Sequence, residues 1–485
     1  MNVHSAAGTG RSTPAAEVLA RHPAVAEVVI VDEPGTLGGH ARIVPDRETA
    51  RTLSRSVVLE AADRLGGLAW HEPADTIRVA GLNRGETDFL YREIFVEGAY
   101  FRHGITLPRA PVVLDVGANI GMFSLRAGLA APGARVIAVE PVAELAAAVR
   151  LNAELHGLDV TVLQTALGRK QGETSFTFYP HNSVMSGRYA DAAQDAEVLR
   201  GYLLTGDDAG AQGAGEDPGG DGRSRSLDRL VGDRLAARPR RVPVTTLGNV
   251  IRDHGLTRVD LLKIDVEKAE SEVLAGLDEE TWERVEQVVV EVHDIEGRLQ
   301  EVLGTLRDRG FDVTHDQDPR LALTPCHNVY ARRPRAGVGA PPAPVFDGVP
   351  TLRRLEGELR ELLARALPSA PPPGRWTAVP HLGPAPGAPA PAAPASPAPA
   401  AVAPERVAVL ARAWTDLFGA DALRSGADFF ELGGDSLTAV RLLARVEDEL
   451  GPDALTPDLI FTDGTFAGLA AALGSGRPAE EAPRP

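Results

Sequence analysis

Five short apolar runs, separated by helical stretches, constrain this chain more than any other feature. They are "VVLDV" (112–116), "VIAVE" (136–140), "VTVLQTAL" (160–167), "VDLLKIDV" (259–266) and "VEQVVVEV" (285–292). Each is apolar nearly throughout rather than alternating, as expected of strands buried on both faces. Between several of them lie helical patterns such as "AELAAAVRLNAELHG" (143–157). This alternation predicts an α/β fold: a mainly parallel sheet, helices on both faces, and ligands at the carboxyl ends of the strands.

The character of the chain changes downstream. Residues 336–350 and 368–403 are dominated by Pro, Ala and Gly and read as semi-rigid extended spacers. Between them "TLRRLEGELRELLARALP" predicts one amphipathic helix. A second stretch, "TGDDAGAQGAGEDPGGDGRSRS" (205–226), reads as a disordered insertion. Beyond the spacer, "ERVAVLARAWTDLFG", "SLTAVRLLARVEDEL", a short turn at "PDLIF" and "FAGLAAAL" form a small all-helical unit. Leu437, Val440, Leu443 and Val446 follow helical spacing, so Ser436 starts a helix whose positive end favours an attached anion. A nucleophilic role for Ser436 fails on context. Thr438 stands where G-x-S-x-G needs its second glycine, and no histidine follows His381. A plain helix cap is the alternative.

Charge and cysteine usage narrow the function. The net charge is −17 and the pI about 5.2, which argues against nucleic acid or an anionic membrane as the main partner. Cys326 is the only cysteine, so no internal disulfide forms and no thiolate metal cluster is implied; no metal site is expected. The first thirty residues lack a signal-peptide pattern, and no apolar run reaches the roughly 20 residues of a membrane span. A soluble, cytoplasmic chain is expected. Lysines occur only at 170, 263 and 268, which excludes any function needing one later in the chain.

"VVLDVGANIGMFSLRAG" follows a strand and opens a helix. Gly117 and Gly121 allow a tight turn and close approach to a ligand, with Asp115 at the strand end. Glu140 ends the next strand 25 positions later, where an acid accepts hydrogen bonds from ribose hydroxyls in dinucleotide folds. The spacing "GANIG" is not G-x-G-x-x-G, and no P-loop Lys-Ser/Thr follows, so pyrophosphate cradling is not favoured. Taken alone, a glycine turn before a helix is also ordinary structure.

Together, "LDVGANIGMFSL", "AVEP", "LLKIDVEKAESEVLAGL" and "VVVEVHD" resemble the FkbM-type family of S-adenosylmethionine-dependent O-methyltransferases, over roughly residues 80–333. The resemblance implies a Rossmann-like, seven-stranded class I methyltransferase sheet, ending in "FDVTHD" (311–316) and an antiparallel "NVYARR" (328–333). It implies that Asp115, Gly117, Asn119 and Gly121 hold the methionine part of the cofactor. Glu140 would bind its ribose, and Thr165 and Ala166 would edge the adenine. Lys268 stands where the family often has glycine, which would put a cation in the pocket. An alcohol acceptor benefits from a nearby base. Asp265, Glu267 and His293 end strands at the same edge, and His293 is the preferred base because an unperturbed imidazole has a pKa of about 6.5. A strand-end hydrogen bond is the alternative for His293, and a helix N-cap for Asp265. "GLNRGETDFLYREIFVEGAYFRHGI" (81–105) resembles the family's cap, with Asn83, Glu86, Tyr91 and His103 as pocket-lining candidates; aromatic packing against the sheet is the other reading. "FYPHNSV" (178–184) reads as a loop at the pocket mouth.

"DFFELGGDSLTAVRLLARVE" resembles the peptidyl carrier domains of nonribosomal peptide synthetases. This implies that Ser436 carries 4'-phosphopantetheine, attached by a phosphopantetheinyl transferase. Residues 15–46 and "LRRLEGELRELLARALPSAPPPGRWTAVPHLGP" resemble parts of the small C-terminal subdomain of adenylation domains, interrupted by the methyltransferase. No ATP-binding core is recognised, so a separate adenylation domain or neighbouring synthetase modules would load the carrier. The expected organisation is an adenylation-tail fragment (1–79), a methyltransferase (80–335), a linker with one helix (336–403), a four-helix carrier (404–475) and a disordered tail (476–485). The expected function is O-methylation of an acyl or aminoacyl thioester on a carrier, in nonribosomal peptide or hybrid polyketide biosynthesis. N- or C-methylation of that substrate, or a degenerate methyltransferase acting as a scaffold, are the alternatives.

Overall fold

The computed structural model describes residues 13–382 and 404–473, apart from 34–35, 206–219, 323, 335–342, 347, 420–421, 424–426, 430–431, 435, 452–453, 456–458 and 461–463. At its centre is a seven-stranded sheet: β1 (Val112–Val116), β2 (Arg135–Val139), β3 (Asp159–Leu163), β4 (Leu261–Ile264), β5 (Gln287–His293), β6 (Asp312–Asp316) and β7 (Cys326–Arg332). The spatial order is β6-β7-β5-β4-β1-β2-β3. All neighbouring pairs are parallel except those of β7, which runs antiparallel to β5 and β6. The winding direction reverses between β1 and β4, so their carboxyl ends flank the crevice where such sheets bind ligands.

The continuous apolar runs have the expected cause. Leu114, Val116, Ile137, Leu262 and Val290 face one layer of helices, while Val113, Val136, Leu261 and Val289 face another, and all are fully buried. One expected strand divides. "VTVLQTAL" leaves the central sheet after Leu163, and Ala166–Leu167 pairs instead with Arg238–Thr245 in a small side sheet.

Three sequence boundaries are corrected. First, residues 349–378 are not linker. Arg375–Ala378 pairs parallel with His40–Pro45, which pairs antiparallel with Val25–Val31. The leucine face of helix Leu352–Ala366 (Leu355, Leu359, Leu363) and Trp376 share one core with Leu19, Ile43 and Leu53. Second, the 79/80 division cuts through strand Ile77–Gly81, whose Ile77 and Val79 lie in the methyltransferase core, and Ala80 exchanges hydrogen bonds with Asn152. Third, residues 205 and 220–226, expected to be disordered, are helical, in Ala192–Thr205 and Gly220–Arg234. Residues 206–219 lie outside the described residues, as do 383–403 of the spacer and the whole expected tail.

In the C-terminal unit, helices Pro404–Phe418, Ser436–Leu450 and Phe466–Ala472 close a core around Trp414, Phe429, Leu443 and Val446. The expected turn at 457–461 lies mostly outside the described residues. No helix among the described residues is long and apolar enough to cross a membrane.

Because Leu359 is fully buried between segments more than 300 positions apart in sequence, Leu359→Ala should lower unfolding free energy by about 2–5 kcal/mol. The urea midpoint would show it. An unchanged midpoint would mean that 349–378 is linker after all.

Candidate active site

The carboxyl ends of β1, β2, β4 and β5 open into a cavity of about 470 Å³. Its first wall is the turn after β1. Gly117 and Gly121 have φ of 76° and 84°, and Asn119 shares the left-handed region at φ 50°. A Cβ on Gly117 would fall 1.7 Å from the Asp265 carbonyl oxygen, so no other residue fits where β1 and β4 meet. Asn119 N donates to Glu140 Oε2 (2.9 Å), and Val142 N donates to Oε1 (2.9 Å). Burial pushes the Glu140 carboxyl up to about 7. Asn119 Nδ2 donates to Ser183 Oγ (3.0 Å), which donates to Glu86 Oε2 (2.8 Å). This relay joins the glycine turn, the loop of "FYPHNSV" and the cap helix Arg84–Tyr91, and all three line the cavity. Burial raises the Glu86 carboxyl too.

Thr165 and Ala166 line a smaller cleft of about 40 Å³, which shares Gly117, Pro141 and Phe176 with the main cavity. A glycine-only cradle, a buried carboxylate and an apolar cleft beyond them fit the methionine, ribose and adenine parts of S-adenosylmethionine. Two residues expected in that set are not on the cavity wall. Asp115 is fully buried beneath the turn, where it accepts from Ser124 Oγ (2.6 Å) and lies 3.3 Å from Lys263 Nζ. Gly121 is instead packed close to Val149.

The second wall comes from β4 and β5. Lys263 rises inside the sheet, donates to the Gly117 carbonyl (2.7 Å), and lies 3.4 Å from Asp265 Oδ2. Burial alone would lower its pKa, but Asp265 and Asp115 outweigh that and raise it. Tyr100 OH donates to the same Asp265 oxygen (3.0 Å). Asp265 begins no helix: the next one, Glu270–Leu274, is preceded by Ala269.

The surroundings of His293 do not leave it an ordinary imidazole. Its Nε2 lies 3.0 Å from Glu267 Oε2 and its Nδ1 2.8 Å from Glu270 Oε1. Burial opposes a charged ring, but Glu267 and further hydrogen bonds raise its pKa well above 6.5. An imidazole held protonated between two carboxylates is a poor proton acceptor. Lys268 is corrected as well. Its ammonium pairs with the buried Asp195 of helix Ala192–Thr205 and puts no cation in the cavity. Asn83 caps the cap helix by accepting from Glu86 N (2.9 Å), Tyr91 stacks on Phe95, and His103 pairs with Asp316 at 2.8 Å; none of the three lines the cavity.

Two site residues escaped the sequence reading. Lys263 interrupts the apolar run "LLKI", and Glu291 interrupts "VVVEVH" on the same strand face as His293. Each was visible as a charge inside a buried strand. Asp265, Glu267 and Glu291 bring carboxylate oxygens within 4.8 Å of one another. Burial, followed by the Asp265 charge, raises Glu291 well above the usual carboxylate range.

The cavity has a third side. Val198, Leu199 and Arg234 from the two insertion helices line it, together with Gly433 and Gly434 of the C-terminal unit. Gly434 immediately precedes the "DSL" stretch, and Ser436 is the first residue of helix Ser436–Leu450.

A family model described as "Methyltransferase FkbM domain" matches residues 115–313, and one described as "Phosphopantetheine attachment site" matches residues 408–473. The chain is 36% identical over 457 residues to the AMB antimetabolite synthetase AmbE of Pseudomonas aeruginosa, covering 87% of this chain and 20% of that protein. It therefore spans about a fifth of that relative's length. It is 43% identical over 261 residues to the 31-O-demethyl-FK506 methyltransferase FkbM of Streptomyces tacrolimicus, covering 53% of this chain and 93% of that protein. Surfactin synthase subunit 3 of Bacillus subtilis is 39% identical over 67 residues, covering 14% of this chain and 5% of that protein.

Glu140→Ala removes the carboxylate expected to meet the ribose. A hydrogen bond to a charged group is worth about 1.5–3 kcal/mol, so the Kd for S-adenosylhomocysteine should rise on the order of 10- to 100-fold in calorimetry. An unchanged Kd would remove Glu140 from the cofactor site.

Proposed function

The chain belongs to the FkbM methyltransferase family, and on that premise we propose that it O-methylates an acyl or aminoacyl group held as a thioester on a carrier domain. It is an S-adenosylmethionine-dependent methyltransferase fused to a carrier domain that takes 4'-phosphopantetheine. The observation carrying the proposal is that one cavity has the glycine turn and Glu140 on one wall, carboxylates on another, and Gly433 and Gly434 on a third. A substrate attached at Ser436 starts two residues from that wall. Nonribosomal peptide or hybrid polyketide biosynthesis is the context in which such a substrate arises, with a phosphopantetheinyl transferase and loading modules as partners.

S-adenosylmethionine supplies an electrophilic methyl carbon, and attack on it needs an in-line oxygen. The chain's own residues then have to accept the hydroxyl proton. We assign that role to Glu267 rather than His293. Glu267 lines the cavity, and burial raises its pKa despite the pull of His293, which makes it a stronger base than an ordinary carboxylate. His293 positions Glu267 through the 3.0 Å contact and offsets its charge once ionised. Asp265, steadied by Tyr100 and Lys263, orients the acceptor. A second reading, N-methylation, draws support from the same three carboxylates, which suit a cationic amino group.

Tandem mass spectrometry of the pantetheine adduct released from Ser436 distinguishes the two. A methyl on oxygen supports the proposal; a methyl on nitrogen replaces it with the second reading. Glu267→Gln should reduce kcat by about 10²–10⁴ with cofactor Kd unchanged. The wild-type rate should rise with pH through the raised Glu267 pKa and fall only when His293 loses its proton, well above pH 6.5. A single rise near 6.5 with no fall would restore His293 as the base.

A further inference from the structure

We propose that the insertion helices Ala192–Thr205 and Gly220–Arg234, with Arg84 of the cap helix, form a dock for the chain's own carrier domain, so that methylation occurs within one chain. This rests on the carrier-bound substrate proposed above and adds where the carrier sits and which residues hold it.

Among the described residues, Arg84–Asp428 and Arg229–Glu447 are ion pairs that cross from the methyltransferase to the carrier with the same polarity. Arg84 Nη1 lies 3.1 Å from Asp428 Oδ1, and Arg229 pairs with Glu447 on helix Ser436–Leu450. The four side chains are 12–30% exposed, less open to solvent than an ordinary surface pair. The polarity fits the composition of the partners. Residues 404–475 hold twelve carboxylates, five arginines and no lysine, a net −7, whereas Gly220–Arg234 holds four arginines and three aspartates, a net +1. Helix Ser436–Leu450 packs along Gly220–Arg234 and also touches Ala192–Thr205.

Each docking helix also lines the cavity. The cap helix uses Arg84 for the carrier and Glu86 for the cavity; Gly220–Arg234 uses Arg229 for the carrier and Arg234 for the cavity. Ala192–Thr205 is tied to the catalytic edge by the buried Asp195–Lys268 pair, next to Glu267. The surface that holds the carrier and the wall that meets the substrate are therefore the same pieces of chain. The carrier lines the cavity with Gly433 and Gly434, and its own packing requires glycine at 434. A Cβ there would fall 2.4 Å from the Phe429 ring.

The test is hydrogen exchange on the full-length protein, converted to its phosphopantetheine form with unacylated coenzyme A. Arg84→Glu with Arg229→Glu places like charges across both contacts. It should raise exchange in 227–234 and 438–450 about three- to tenfold, with exchange in the central sheet unchanged. Reversing the carrier side too, with Asp428→Arg and Glu447→Arg, should restore the wild-type pattern. Equal exchange in wild type and the Arg variants, with the sheet equally protected, overturns the dock. If the Arg variants destabilise the sheet, the Asp428→Arg and Glu447→Arg protein alone gives the same reading from the carrier side. No methyl transfer enters this measurement, so a restored dock without methylation of a loaded chain would refute the substrate reading and leave the dock standing.

Discussion

The ammonium of Lys263 is the contact on which the rest of the site depends. It is buried within the sheet, donates to the Gly117 carbonyl, and lies between Asp115 and Asp265, with the Tyr100 and Phe123 rings 5.4 and 5.9 Å away. These contacts fasten the end of β1 to the end of β4 at the point where the winding reverses. The Gly117 turn, the backbone reach of Asn119 to Glu140 and the direction of Asp265 all follow from that fastening. Losing the lysine would leave Asp115 buried without its cation, and breaking a buried pair in this way costs roughly 3–5 kcal/mol.

Much of this was legible in the sequence because it is local. A strand buried on both faces must be a continuous apolar run, a parallel neighbour requires a helical crossover, and a close turn between strand ends requires glycine. Those rules gave five of the strands, Gly117 and the acid at 140; the last two strands, the antiparallel one included, came only from the family resemblance. What escaped was non-local. The Pro-rich flanks of "LRRLEGELRELLARALP" argued for a spacer, and only the resemblance of this segment and residues 15–46 to parts of one subdomain pointed to the core its leucines share with Leu19 and Ile43. The ordinary pKa expected of His293 was wrong for a related reason. An imidazole's ordinary pKa is a property of water, and the burial, Glu267 and Glu270 that change it for His293 come from separate parts of the fold. Lys263 and Glu291 were visible as charges in apolar runs, but which charges they answered was not.

The insertion between strands Gly172–Phe178 and Arg238–Thr245 links catalysis to delivery. Its two helices, Ala192–Thr205 and Gly220–Arg234, take up only residues 205 and 220–226 of the stretch expected to be disordered; they pack on a small core of Tyr179, Leu199, Leu230 and Leu235, reach the cavity with Leu199 and Arg234, and meet the carrier with Arg229. Lys268, expected in the pocket, instead anchors this insertion through Asp195. One departure from the family pattern is thereby accounted for as a structural tie rather than a catalytic cation.

The central claim is that cofactor wall, carboxylates and carrier meet in one cavity. The most direct test compares initial rates of methyl transfer to one acyl group presented in two ways: loaded on Ser436 of the full chain, or free as its pantetheine thioester at the same total concentration. Tethering gives effective concentrations in the millimolar range, so at micromolar protein the loaded form should react about 10²- to 10⁴-fold faster. Equal rates would contradict the account and make the carrier a passenger beside an enzyme that acts on free substrates.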